Sequence, residues 1–310
     1  MIRYSVNIHR GCFGGCSFCA ISAHQGKFVS SRSKESILNE VRQITEMHDF
    51  KGYISDLGGP SANMYGMKGF RMELCEKCKR PSCIYPKVCS NLNADHTPLL
   101  DLYKEVNQII GIKKIHIGSG IRHDLLFYPY ENRTFRQSAE TYATELITHH
   151  VSGRLKVAPE HTSDQVLNLM RKPAFHYFHQ LKRMVDTINR QKGLKQQLIP
   201  YFISSHPGCT ETDMAELAIT CKSLRFSPEQ IQDFTPTPMT LSTEMYYTGY
   251  HPETMLPLFT ARNKEAKLQQ RRYFFWYKEE NKSLIVASLS RLKRKDLINK
   301  LYSPPPSLNS

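Results

Sequence analysis

Long apolar runs are missing from this chain. No segment approaches the roughly 20 consecutive apolar residues that cross a bilayer as a helix, although 40% of the 310 residues are hydrophobic. The opening Met1-Ile-Arg-Tyr-Ser-Val6 lacks the basic, apolar and small-residue regions of a secretory signal. The expectation is a cytoplasmic protein with no membrane partner. Acidic residues are also scarce: 28 Asp and Glu stand against 42 Lys and Arg, a formal net charge of +14. That excess attracts polyanions and makes nucleic acid a candidate partner, but a basic surface is not in itself a specific site. Internal repeats are absent beyond an alternation of strand and helix signals. A disulfide framework is also disfavoured, because nine cysteines is an odd count and the cytosol keeps thiols reduced, so these cysteines read as metal ligands.

Three of those cysteines, Cys12, Cys16 and Cys19, stand as CxxxCxxC in a glycine-rich loop with Gly11, Gly14 and Gly15. Three thiolates on one short loop suit three irons of a 4Fe–4S cluster and leave the fourth iron open to a small molecule. A zinc loop is the alternative, but zinc sites usually close with a fourth Cys or His, which this spacing does not supply locally.

CxxxCxxC with Phe18 before the last cysteine, following the strand-like Arg3–Ile8, resembles the radical S-adenosylmethionine superfamily. The string Ile8-His-Arg-Gly-Cys-Phe-Gly-Gly-Cys-Ser-Phe-Cys19, with Ser55-Asp-Leu-Gly-Gly-Pro60, Val157-Ala-Pro-Glu-His-Thr-Ser-Asp164 and Ser205-His-Pro-Gly208, is similar to its YgiQ-type branch. The resemblance implies a 4Fe–4S cluster on the three cysteines, S-adenosylmethionine on the open iron, and an electron donor such as flavodoxin or ferredoxin. It implies an enzyme that generates a 5′-deoxyadenosyl radical and abstracts hydrogen from a substrate the motifs do not name. Relatives in this branch carry extra sequence N-terminal to this point, whereas here Met1 lies two residues before the first predicted strand, so a preceding domain is expected to be missing.

Six predicted strands, about 3–8, 51–56, 114–117, 154–158, 197–203 and 231–234, each close in small, polar or proline residues. This predicts an α/β fold, a partial (β/α)6 TIM-like barrel with its chemistry at the strand C-termini. Ser33 is expected to cap a helix carrying Ile37, Leu38, Val41 and Ile44 on one face. The expected organisation is a core barrel over 1–260, a cysteine-rich insertion at 70–95, a basic and aromatic helical extension at 261–302, and a disordered tail at 303–310.

Candidate cofactor contacts follow from these strand ends. Gly58 and Gly59 occupy the place of the family's Gly-Gly-acid motif, with Pro60 where the acid stands. Ser119, between Gly118 and Gly120, is a weaker candidate. Glu160 can accept hydrogen bonds from ribose hydroxyls with His161 beside it, the alternative being a solvent-exposed capping pair. His206 sits at the corresponding end of the fifth strand, and Phe18 flanks the cluster motif. Arg122, His123, Tyr246 and Tyr247 are further, weaker candidates. No catalytic residue is named.

A second group, Cys75, Cys78, Cys83 and Cys89, lies in a loop rich in Lys, Arg and Pro with little apolar content of its own. It predicts a structural zinc knot or an auxiliary iron–sulfur cluster, separate from the first site. The competing readings are an RNA-modifying radical enzyme and a non-catalytic, metal-stapled nucleic-acid-binding protein. The run Tyr273–Tyr277 could stack on single strands or simply pack.

Overall fold

The computed structural model describes residues 3–303, so the expected tail, beyond Ser303, lies outside the described residues. The chain divides into two compact units, Met1–Ala158 with His176–Ile199, and Pro159–Phe175 with Pro200–Ser310.

In the first unit, Ser5–Asn7 pairs parallel with Asp56–Gly58, and Tyr53–Ile54 pairs parallel with Lys114–Ile115. Val6, Ile8, Ile54, Leu57, Ile115 and Ile117 are all buried, as expected of parallel strands covered by helices. The helix Lys34–Thr45 begins where expected: the Ser33 hydroxyl accepts the Ser36 N–H at 3.2 Å, and Ile37, Val41 and Ile44 are buried, with Leu38 at the margin. Helices also separate the later strands, at Thr97–Asn107 and Arg133–Glu145. The α/β expectation holds.

The first strand is shorter than expected, because Ile8 changes partners. Its N–H bonds to Gly58 O at 2.8 Å while its carbonyl accepts Arg32 N–H at 2.9 Å. His9–Arg10 therefore pairs antiparallel with Ser30–Ser31, and the cysteine loop leaves from this turn. A second short ribbon, Lys68–Gly69 against Leu92–Asn93, brackets the cysteine-rich insertion at its base.

The strands Arg154–Glu160 and Gln197–Ser204 run from the first unit into the second. There Tyr201–Ser204 pairs parallel with Gln230–Asp233. The helix Glu211–Ser223 opens on a capping box in which Thr210 and Asp213 bond each other's backbone. Helices Lys264–Arg272, Glu279–Arg291 and Lys295–Tyr302 complete this unit. The first two, with Tyr273 between them, are fastened to its centre through Glu211, whose Oε2 receives Gln269 Nε2 and Tyr273 OH, each at 3.2 Å, and the Ser288 hydroxyl. Tyr273 and Phe274 are fully buried, which removes them as stacking surfaces, whereas Tyr277 is exposed. Among the described residues, no helix is long and apolar enough to cross a membrane.

Candidate metal centre

The cysteine loop is built around Gly14. A side chain there would place its Cβ 2.8 Å from Arg122 Nη1, 3.2 Å from Cys12 Sγ and 3.5 Å from Cys16 Sγ, so only glycine leaves room for all three groups. The Gly14 N–H points at Cys12 Sγ at 3.4 Å. Cys19 closes the turn with its N–H on Cys16 O at 3.1 Å. None of the three cysteines is in a disulfide, and all are half-buried, as is Phe18 beside Cys19.

Arg122, only a weak candidate from sequence, is central to this loop. It is 6% exposed, and its Nε and Nη2 fork onto Asp124 at 2.8 and 2.6 Å. Nη1 is left for Cys16 Sγ at 3.5 Å. Burial opposes the guanidinium charge, but Asp124, Cys16 and Cys12 outweigh it and keep Arg122 protonated. The backbone of Arg122 is held on both sides by Asn63, which accepts its N–H at 2.8 Å and donates to its carbonyl at 3.0 Å. Burial pushes the Cys12 thiol up to about 11, with Arg122 acting against the shift and Cys16 and Cys19 adding to it. A metal at this loop would displace a thiol proton, and the cationic neighbour lowers that cost.

Among the described residues, no three Cys, His, Asp or Glu side chains stand already in metal-holding geometry. The donor set nevertheless fits an iron–sulfur cluster: two thiols, Cys12 and Cys16, gather at one glycine with Cys19 on the same turn, a backbone N–H faces Cys12 and a guanidinium faces Cys16, and Phe13, Met64, Met67 and Leu125 form an apolar backing against Cys12.

The second cysteine loop docks on the first. Cys83 N–H and Ser82 Oγ both donate to Phe13 O at 3.0 Å, and Lys27 Nζ donates to Cys78 O and Arg80 O at 2.7 Å. The insertion also has more apolar content than its sequence suggested, since Ile84 and Leu92 join the Phe13 cluster with Cys83 and Cys89 packed against it. Burial pushes the Cys83 thiol up to about 11, Lys27 opposes this, and Cys89, Cys78 and Cys75 add to it, so the four thiols are electrostatic neighbours. Cys75 Sγ accepts Asn91 Nδ2 at 3.3 Å.

The strand-end residues of the first unit form a latch that sequence reasoning missed. Asp56 Oδ1 accepts the N–H groups of Gly118 and Ser119 at 2.8 and 3.0 Å, and Oδ2 takes the Ser119 hydroxyl. Gly58 is required beneath it, because a Cβ there would lie 2.6 Å from Ser119 Oγ. Ser119 is thus engaged within the protein, while Gly59 lies against the His9 ring, whose Nε2 bonds Ser61 O at 2.9 Å. The signal for the latch was Asp56, two residues before Gly58.

In the second unit, Glu160 and His161 are buried, so the solvent-exposed capping pair is ruled out. Glu160 has a left-handed backbone (φ 70°) and pairs with buried Lys172 at 3.5 Å. His161 Nδ1 accepts Ser163 N–H at 3.0 Å, and its Nε2 lies 3.5 Å from Cys209 Sγ. His206 bonds Pro207 O at 2.9 Å and Ser242 Oγ at 2.7 Å. Burial lowers His161 to about 4 and His206 to about 3, so both are neutral. Gln270 bridges this region, accepting Ser205 N–H and donating to Cys209 O, each at 2.7 Å. Tyr246 is buried and Tyr247 exposed.

Comparison with known proteins places these features in a family. A family model described as a domain of unknown function, DUF3362, matches residues 229–301. A UPF0313 protein of Bacteroides thetaiotaomicron is 63% identical over 302 residues, covering 97% of this chain and 49% of that protein. A UPF0313 protein of Methanocella arvoryzae is 44% identical over 297 residues, covering 96% and 48%. The solved structure of TsrM, a radical S-adenosylmethionine methyltransferase from Kitasatospora setae with cobalamin and a 4Fe–4S cluster bound, has a TM-score of 0.48 at 13% identity, covering 78% of this chain and 39% of that one. The chain spans about half the length of the curated relatives it matches, and over 302 of its residues it is a UPF0313, YgiQ-type sequence.

Proposed function

We propose that this chain is a radical S-adenosylmethionine enzyme whose 4Fe–4S cluster is held by Cys12, Cys16 and Cys19. The observation that carries the reading is the gathering of Cys12 and Cys16 at Gly14 beneath the buried Arg122, with Cys19 closing the same turn. When bound, such a cluster supplies the electron that splits S-adenosylmethionine into methionine and a 5′-deoxyadenosyl radical. The chain's own residues prepare the site. Cys12 gives up a proton on loading, Arg122 offsets the thiolate charge, and the Phe13 cluster keeps water from the Cys12 side. Gly58 and Gly59 are the proposed backbone contacts for the cofactor. Glu160 is the proposed acceptor for its ribose hydroxyls, and the strand series is the proposed partial barrel. The Cys75–Cys89 loop is proposed to hold zinc or a second iron–sulfur cluster.

The test is anaerobic reconstitution of the chain, with iron, sulfide and zinc counted, followed by reduction in the presence of S-adenosylmethionine. Reductant-dependent 5′-deoxyadenosine, lost in Cys12→Ala, is the expected result. A fully loaded protein that releases none overturns the reading.

A further inference from the structure

We infer that Arg122 and Asp124 form a charge pair that sets the reduction potential of the metal centre at Cys16. The inference rests on the cluster reading above and goes beyond it by giving two residues outside the cysteine motif opposite effects on one measurable property.

Arg122 reaches the cysteine loop with a single nitrogen. Its Nε and Nη2 are taken by Asp124 at 2.8 and 2.6 Å, and Nη1 alone meets Cys16 Sγ, at 3.5 Å. The side chains of the pair are 7% and 8% exposed. Charges so placed are weakly screened by salt or water, so their effect on a neighbouring sulfur is larger than at the surface. The mount is rigid, since both backbone groups of Arg122 are bonded to the Asn63 side chain, itself fully buried. Gly14 keeps the approach open, because a Cβ there would meet Nη1 at 2.8 Å.

A cation and an N–H donor beside a cluster sulfur favour the reduced, more negative state of a one-electron couple and raise its potential. Asp124 works against this by neutralising the same guanidinium from its far side. Arg122 alone would over-stabilise the reduced cluster and make it a weaker reductant. The pair delivers the hydrogen bond while withholding part of the charge. This is a positioning and tuning role, not contact with substrate.

The test is an anaerobic redox titration of the reconstituted chain, read by the electron paramagnetic resonance signal of the reduced cluster. Arg122→Met should shift the midpoint negative by about 59 mV, a tenfold change in the oxidised-to-reduced ratio for a one-electron couple. Asp124→Asn should shift it the opposite way, and Arg122→Lys should stay nearer the parent than Arg122→Met. Equal midpoints in parent, Asp124→Asn and Arg122→Lys, or a negative shift in Asp124→Asn, overturn the inference even if Arg122→Met fails to load iron. Iron and sulfide counts on the parent separate the two readings: an unloaded parent overturns both, whereas a loaded parent with unmoved variants overturns only this one.

Discussion

The carbonyl of Phe13 accepts the backbone N–H of Cys83 at 3.0 Å, so the second cysteine loop is bonded directly to the first. A displacement of either loop is therefore mechanically linked to the other. Ser82 reinforces the joint, donating to Phe13 O at 3.0 Å and accepting Ile84 and Tyr85 N–H at 3.1 and 2.9 Å, with its side chain fully buried.

Ser82→Ala removes one donor and leaves two backbone N–H groups without their acceptor. The expected loss is about 2–4 kcal/mol, from the usual cost of orphaned buried groups. Urea unfolding of the metal-free chain measures it, and a change near zero would show that the joint carries no load.

Gly14→Ala keeps an allowed backbone but sets a methyl 2.8 Å from Arg122 Nη1 and 3.2 Å from Cys12 Sγ. The far-ultraviolet circular dichroism should be unchanged while iron bound after reconstitution falls several-fold. Full iron loading in the variant would contradict the crowding described at this glycine.

How much of this could be read beforehand depends on sequence distance. The cysteine triad, the Ser33 cap and the strand ends at Gly58 and Glu160 are local patterns, and each was legible. The partners that complete the site are not local. Ser82 reaches Phe13 across 69 positions, and Arg122 reaches Cys16 across 106. No periodicity or spacing announces a bond between residues so far apart, because the fold alone makes them neighbours. Asp56 was hidden differently. It lies within Ser55-Asp-Leu-Gly-Gly-Pro60, where the Gly-Gly-acid pattern points to the position after the glycines, Pro60, rather than to the carboxylate before them.

Asp56→Ala should destabilise the first unit by about 3 kcal/mol, since three donors from Gly118 and Ser119 lose their acceptor together. Asp56→Asn, which keeps one carbonyl oxygen for the two backbone N–H groups, should lose clearly less. Thermal melts of the two variants side by side decide it, and equal losses would argue against the latch.

Acid should weaken the second unit early. His206 and His161 titrate at about 3 and about 4 in the fold, lowered by burial, against roughly 6.5 in an unfolded chain. The unfolded chain thus binds more protons between these limits. Stability from each neutral histidine is complete above pH ~6.5 and declines as pH falls toward the folded value, by roughly 1.4 kcal/mol per pH unit per histidine. Unfolding free energies measured from pH 7 to pH 4.5 should fall along that slope, and less steeply in His206→Asn by one histidine's share. A parent profile that is level over this range would refute the assignment of buried, neutral rings.

The three donors on Glu211 have a consequence for dissecting this protein. The family model begins at residue 229, between that carboxylate and all three of its partners, Gln269, Tyr273 and Ser288. A limit of sequence similarity has been drawn through the middle of a packed unit. Expressed alone, a fragment starting there would lack the acceptor its helices converge on, and a fragment ending there would expose an acid meant to be covered. The stretch with a family name of its own is a lineage marker, and the piece to clone as a body begins upstream of Glu211.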